Sequence, residues 1–264
     1  MLASDRKGGL VYRRGRHQTY REGMKSQDCV INPEQGRGEP TLPQLGILAV
    51  NPTEAPVLAA YAKEAGMHRA FLFHSNLYYA EQLFLAGPAV GAPMAVMCLE
   101  KLIALGAKKI ILYGWCGSLQ RELRALDVFL PTEALAEEGT SRHYQKDMQQ
   151  TVQRTISSSA QLHKHLGNLL SAEGISSQTG KIWTTDAPYR ETRSKVVEYA
   201  EQGISAVDME FSALCTVAAF RGIELAGAML VSDEVWQQPW QPQFSQKEFK
   251  RKSRKLLTLL CDTL

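Results

Sequence analysis

Short apolar runs, broken by turn residues and followed by stretches of helical spacing, set the pattern of this chain. Gly46–Val50 (GILAV) is continuously apolar and ends at Asn51-Pro52, which predicts a buried strand and a turn, and Glu54–Ala65 follows with helical spacing. Leu83–Ala86, closed by Gly87-Pro88, predicts the next strand. Met94–Leu105 predicts a helix apolar over nearly all its surface and therefore buried. Lys108–Tyr113, Val128–Pro131, Gly180–Thr184, Gly203–Val207 and Ala226–Val231 continue the strand series, with helices expected at Met148–Glu173, Thr192–Tyr199, Phe211–Arg221 and Ser245–Leu260. Strands apolar on both sides and alternating with helices predict a three-layer α/β/α domain with a central mixed, mostly parallel sheet. Ligands of such sheets sit at the carboxyl ends of the strands, so the segments just after each strand are where chemistry is expected.

The 264 residues suffice for one large domain or two small ones, and no repeat or low-complexity linker divides them; one domain over residues 27–264 is expected, with an extended surface lead-in at 27–45. No apolar run reaches the roughly 18 residues that span a bilayer, which argues against a membrane protein. The net charge of +3 conceals a basic start: residues 1–26 carry seven Lys and Arg against Asp5 and Glu22, a net +5 that leaves −2 for the rest. That Gly-rich, core-poor stretch reads as a disordered extension, or as a start placed upstream of Met24, and not as a nucleic-acid-binding element. It lacks the apolar core of a signal peptide, so a cytoplasmic protein is expected. Five cysteines without a CxxC pair argue against a disulfide framework or a zinc site.

Five motifs stand in order along the chain: GPAVGAPMAVMCLEKLIALGAKKII, GWCGSLQ, EEGTSRHY, TTDAPYRET, and VDMEFSAL followed by VSD. On these, the chain from about Leu45 to Leu264 resembles the nucleoside phosphorylase superfamily, in the branch that holds uridine phosphorylase, purine nucleoside phosphorylase and the methylthioadenosine nucleosidases. The alternative reading of GPAVGAP as a dinucleotide-binding loop fails, because it lacks the middle glycine of G-x-G-x-x-G. EEGTSRHY likewise resembles a family loop and not a metal-ligand set, and neither metal nor cofactor is expected.

The resemblance implies roles for particular residues. Glu210 of Val207-Asp208-Met209-Glu210 is expected to accept from the 2′- and 3′-hydroxyls of ribose, a task suited to the two oxygens of a carboxylate, with Met209 beneath the sugar and Asp208 beside it. A helix-capping acidic pair is the competing structural reading. Asp233 in Ser232-Asp233 matches the acid that protonates the departing base in the purine-cleaving branches; positioned proton donors contribute about 10²–10⁴-fold in rate. Thr185, Pro188, Tyr189 and Arg190 fall where the family faces the base, with Tyr189 the preferred stacking ring, and Trp115 and Gly117 fall on the pocket side of GWCGSLQ. Trp183, Trp236 and Trp240 are core or lid residues, and Glu234–Phe244 is a candidate cover for the pocket.

The family's phosphate site is where the pattern departs. Val50-Asn51-Pro52-Thr53-Glu54 replaces a glycine by valine and an arginine by a carboxylate, Leu112 stands for a second arginine, and Trp115 for a small hydroxyl residue. A charge pair at about 4 Å is worth about 4 kcal/mol at an effective dielectric of 20, so exchanging a cation for an anion there weakens phosphate binding severely. Arg69 and Arg37 are candidates for an arginine donated by a neighbouring subunit. The sequence therefore leaves open cleavage of a nucleoside by water, cleavage with phosphate as co-substrate, and a nucleoside-binding protein without chemistry. It implies a small-molecule nucleoside as partner, with Asp233 favouring a purine-type base while EEGTSRHY and TTDAPYRET look more like the uridine phosphorylase group, without nucleic acid or membrane, and a homodimer or trimer of dimers.

Overall fold

The GILAV run forms strand β1 (Leu45–Ala49) in the computed structural model, which describes residues 29–145 and 155–264. The basic stretch 1–26 and residues 148–154 of the expected long helix lie outside the described residues. A 3-10 turn at Pro52–Glu54 leads from β1 into α1 (Ala55–Glu64).

Two strands follow that hydropathy does not announce, β2 (His68–Leu72) and β3 (Ser75–Tyr79), an antiparallel hairpin that pairs onto β4 (Leu83–Gly87). Most of its residues are exposed or half-exposed, so neither face carries a clean apolar alternation. Then come α2 (Ala92–Ala104), β5 (Lys109–Ser118), β6 (Val128–Ala136), β7 (Thr155–Ser157), α3 (Ala160–Ala172), β8 (Ser177–Thr184), α4 (Arg193–Glu201), β9 (Ile204–Asp208), α5 (Phe211–Arg221), β10 (Glu224–Glu234) and α6 (Lys247–Thr263).

The expected helix Met148–Glu173 is corrected. Thr155–Ser157 is a strand on β6, and the helix begins only after Ser159, whose hydroxyl accepts from the Leu162 backbone N–H. A β-branched Thr-Ile pair followed by three serines favours extended chain and a cap over helix interior.

β1 lies between β4 and β5, with parallel pairing to both. β5 runs on through Gly-Trp-Cys-Gly-Ser because it is paired in parallel with β10 from Lys109↔Glu224 to Ser118↔Glu234. β10 also meets β6 antiparallel, and β6, β8 and β9 lead back to β5, so this half of the sheet closes on itself. The long pairings are parallel, and helices cover both sides. Leu48, Ile110 and Leu112 turn towards α2 and α5, whereas Ile47, Ile111 and Tyr113 turn towards α1, α3 and α6. That two-sided burial is why the strands read as unbroken apolar runs. Each fully buried Leu or Ile contributes roughly 1.5–3 kcal/mol. Residues 31–264 form one compact unit. Cys98, Cys116, Cys215 and Cys261 are buried thiols, and among the described residues no helix is long and apolar enough to cross a membrane.

Candidate active site

A cavity of about 1380 Å³ opens at the carboxyl ends of β1, β5, β9 and β10. Of the residues singled out from sequence, Glu210, Asp208, Met209, Asp233, Trp115, Gly117, Pro188, Tyr189, Val50 and Asn51 line it.

Asp208 and Glu210 divide two tasks between them. The Asp208 carboxylate accepts from the backbone N–H groups of Glu210 (3.0 Å) and Phe211 (2.7 Å) and from the Thr184 hydroxyl (2.6 Å). It thereby satisfies the first turn of α5, so the capping role falls to Asp208. Glu210, relieved of capping, turns into the cavity and accepts a 2.6 Å hydrogen bond from the N–H of Gly91, in the loop between β4 and α2. Gly91 holds φ at +80°, a conformation that favours glycine, and so brings its N–H to the carboxylate. Burial, reinforced by the Asp208 charge, raises the Glu210 carboxyl well above the usual range; burial also raises Asp208, against the pull of its three hydrogen bonds.

Asp233 sits at a bulge. The β10–β5 register shifts between Val231 and Asp233, which leaves Ser232 out of the ladder and re-aims the chain at the cavity. One Asp233 oxygen accepts from the Ser232 hydroxyl (2.6 Å) and the other from Trp240 Nε1 (2.9 Å). Gly117 lies opposite; a Cβ there would stand 2.6 Å from Val235 Cγ2 and 3.3 Å from Asp233 Oδ2, so the close packing of β5 under Asp233 requires glycine.

Trp115 is held on three sides. Its ring stacks on Phe244 (6.4 Å between centroids, 14°), meets Phe249 edge-on (4.8 Å), and donates from Nε1 to Ser253 Oγ (3.2 Å). The segment after β10 does line the cavity, from Val235 through Trp236 and Trp240 to Phe244, whereas Trp183 is a fully buried core residue.

Four of the residues singled out from sequence do not line the cavity. Thr185 is buried away from the cavity, its N–H donating to the Asp208 carbonyl and its hydroxyl accepting from the Ala187 N–H. Arg190 is exposed in a 3-10 turn and does not line the cavity; Tyr189, on the same turn, stands fully exposed at the rim. Glu54 does not face the anion volume either. Its buried carboxylate accepts from the Ser253 hydroxyl of α6 (2.6 Å), and burial raises its pKa. Leu112 is fully buried towards α2 and α5, because the pleat of β5 sends its side chain away from the cavity.

Sequence reasoning passed over Glu191. It lines the cavity just after the turn Pro188–Arg190, and burial together with the charges of Asp233 and Asp208 pushes its carboxyl up to about 7. Its signal in the sequence is its place within TTDAPYRET, directly after Tyr189 and Arg190. Among the described residues lining the cavity, Arg193 is the one Lys or Arg, alongside the acids Glu191, Glu201, Asp208, Glu210 and Asp233. Asn51 Oδ1 and Trp236 Nε1, both on the wall, are buried without a protein hydrogen-bond partner. In the EEGTSRHY loop, Glu137 accepts from Trp183 Nε1 (2.9 Å) and Glu138 from the Ser212 hydroxyl of α5 (2.9 Å); both brace the fold.

Known proteins share this architecture. A DeoD-type purine nucleoside phosphorylase of Bacillus cereus is 26% identical over 169 residues, 64% of this chain and 70% of that protein. Its counterpart in Bacillus thuringiensis is 25% identical over the same shares. The crystal structure of purine nucleoside phosphorylase from Toxoplasma gondii in complex with immucillin-H superposes with a TM-score of 0.70 at 20% identity, covering 84% of this chain and 91% of that one. AMP nucleosidase from Bacteroides thetaiotaomicron gives 0.62 at 22% identity, covering 82% and 90%. The two structures share the α/β fold, and residues 44–264 match the family model of the Phosphorylase superfamily, to which this chain belongs.

Proposed function

We propose that this chain is an enzyme that cleaves the N-glycosidic bond of a nucleoside with a purine-type base, and that its nucleophile is water. The observation that carries the reading is the meeting of Glu210 and Asp233 in one cavity at the strand ends.

Glu210 accepts from the two ribose hydroxyls, and in its ionised form it favours the positive charge that develops on the sugar as the bond breaks. Asp233 gives its proton to the imidazole nitrogen of the leaving base. Water adds its oxygen to the anomeric carbon and releases a proton, leaving ribose and free base. A pyrimidine offers no such nitrogen, which favours a purine.

Water is favoured over phosphate by the lining, which sets five acidic side chains against a single arginine to hold an anion. Val50 and Asn51 occupy the turn where the family resemblance puts phosphate, and Leu112 and Glu54 both point away from it. The protein acts without a cofactor, in the cytoplasm, as a homo-oligomer. Exposed apolar side chains at Phe71, Val90 and Met97 support a second copy docking there, and Val90 also lines the cavity.

The test is chromatographic measurement of base released from purine and pyrimidine nucleosides, with and without inorganic phosphate. Purine release unaffected by phosphate is expected. Strict dependence on phosphate would overturn the assignment of water, and no release from any nucleoside would overturn the enzyme reading in favour of a binding protein.

A further inference from the structure

We propose that the exposed flank of α6 binds the phosphate backbone of a single-stranded polynucleotide, with Trp240 and Phe244 stacking on its bases beside the mouth of the cavity. The surface lies outside the small-molecule site, and neither the family resemblance nor the nucleoside reading implies it.

Charge is segregated in this fold. α6 carries six Lys and Arg against Glu248 and Asp262, a net +4; residues 27–264 total −2, so the rest of the domain stands at −6. All six cations are exposed. Lys247, Lys250, Arg251 and Arg254 follow one another at i, i+3, i+4 and i+7, which sets them on one face of the helix over about 10 Å. Glu248 falls outside that row, with Lys252 and Lys255. Phe249, Ser253, Leu256, Leu257 and Leu260 turn the other way, into the core.

Other exposed lysines of the domain have acidic partners: Lys109 pairs with Glu224, Lys181 with Glu133 and Lys195 with Glu137. The row on α6 does not. Among the described residues the side chains of Lys247, Lys250 and Arg251 make no hydrogen bond and no ion pair, and Arg254 acts through its charge on the buried Glu54. That interaction sets the row on the side of the turn Pro52–Glu54, whose Pro52 lines the cavity. Like charges at helical i, i+4 spacing repel, and a polyanion that gives up its counterions to them relieves the repulsion.

The aromatic rings beside the row select the kind of polyanion. Trp240 and Phe244, just before α6, are 55% and 37% exposed and lie 6.3 Å apart. Cations that track a backbone next to exposed rings suit a single strand, whose unpaired bases are free to stack on them. An anionic membrane fits less well, because α6 has no large apolar side chain among the exposed ones, and a helix that lies on a bilayer inserts such side chains.

The experiment titrates the full chain into a fluorescein-labelled oligouridylate and follows anisotropy between 50 and 200 mM salt. Each phosphate contact on a single strand adds about 0.7 to the steepness of log K against log salt. The basic stretch 1–26 adds to the wild-type total, so the reading is the difference between variants. Lys250→Gln combined with Arg251→Gln should lower the steepness by about 1.4 and weaken binding at least fivefold at 50 mM salt. The control, Arg142→Gln combined with Lys164→Gln, removes the same charge from exposed positions elsewhere and should leave binding unchanged. Thermal melts of both double variants should match the wild type. Trp240→Ala, read by binding alone, should weaken it at least fivefold, as loss of a stacked base does. Equal losses in the two double variants would overturn the proposal, since the field of the whole protein would then be acting and not the row on α6. Unchanged affinity in Trp240→Ala would overturn the assignment of a single strand. Binding to phosphatidylserine vesicles with none to oligouridylate would replace the polynucleotide by a membrane surface.

Discussion

Trp240 Nε1 donates a 2.9 Å hydrogen bond to Oδ2 of Asp233, which ties the irregular segment after β10 to the carboxylate that we assign to protonating the base. The same indole lies 6.3 Å from Phe244, which stacks on Trp115, so a row of aromatic rings runs from Asp233 across the cavity to α6. The segment is thus both cover and support, and its position is coupled to that of the proton donor.

Trp240→Phe should keep the ring in the row and remove only the donor. A hydrogen bond to a charged acceptor contributes about 1.5–3 kcal/mol, so a loss felt in the transition state lowers kcat roughly tenfold or more. KM should change far less, since the ribose contacts assigned to Glu210 remain. Steady-state kinetics on a cleaved nucleoside separates the two, and an unchanged kcat would show that the contact is idle in catalysis.

The acids of the cavity predict how stability varies with pH. Asp208 and Glu210 are both raised by burial, and Glu191 is raised from its ordinary 4.5 to about 7. A carboxyl raised in the native state binds more protons there than in the unfolded chain. Its contribution is fully present below the unfolded value and is lost as pH rises through the folded one. At about 1.4 kcal/mol per unit, and allowing for solvent screening at Glu191, the cluster should make the protein on the order of 2–4 kcal/mol less stable at pH 8.5 than at pH 5. Urea unfolding at the two pH values measures this, and Glu210→Gln should remove part of the difference by removing one titrating group. A difference that is unchanged or larger in that variant would exclude Glu210 as a source.

How far the sequence reveals the structure follows from which forces act locally. The strands buried on both faces are legible because each residue of Gly46–Val50 or Lys108–Tyr113 meets one apolar layer or the other. The hairpin β2–β3 is not, since its pairing is with β4 and its side chains stay half in solvent. The motifs place Glu210, Asp208 and Asp233 in the cavity, but motif position does not give side-chain direction. Leu112 and Tyr113 are neighbours on β5 that face opposite layers, and Glu54 turns from the cavity because Ser253, nearly 200 residues later, offers it a hydroxyl. Glu191 acquires its meaning only from the turn that aims it and from acids on two other strands.

Ser253 offers the sharpest test of those distant contacts. Its hydroxyl donates to Glu54 Oε1 (2.6 Å), lies 3.0 Å from the Tyr113 hydroxyl and accepts from Trp115 Nε1 (3.2 Å), so one buried oxygen joins the turn after β1, the middle of β5 and helix α6. Ser253→Ala deprives a buried carboxyl of its 2.6 Å donor, leaving it the weaker interaction with Trp115, and takes from Trp115, on the cavity wall, its partner on α6. The cost should be about 2–3 kcal/mol, hence a fall in Tm of roughly 5–10 °C. The sign of its pH dependence follows from the buried acid. The lost donor matters most when Glu54 is ionised, so the penalty should be larger at pH 8 than at pH 5, where protonation relieves the uncompensated charge. Glu54→Gln should relieve it at every pH, and the double variant Glu54→Gln with Ser253→Ala should lose less stability than the two single losses added together. Strict additivity in that cycle would mean that Glu54 and Ser253 do not depend on each other, and would return Glu54 to the reckoning as a free charge beside the cavity.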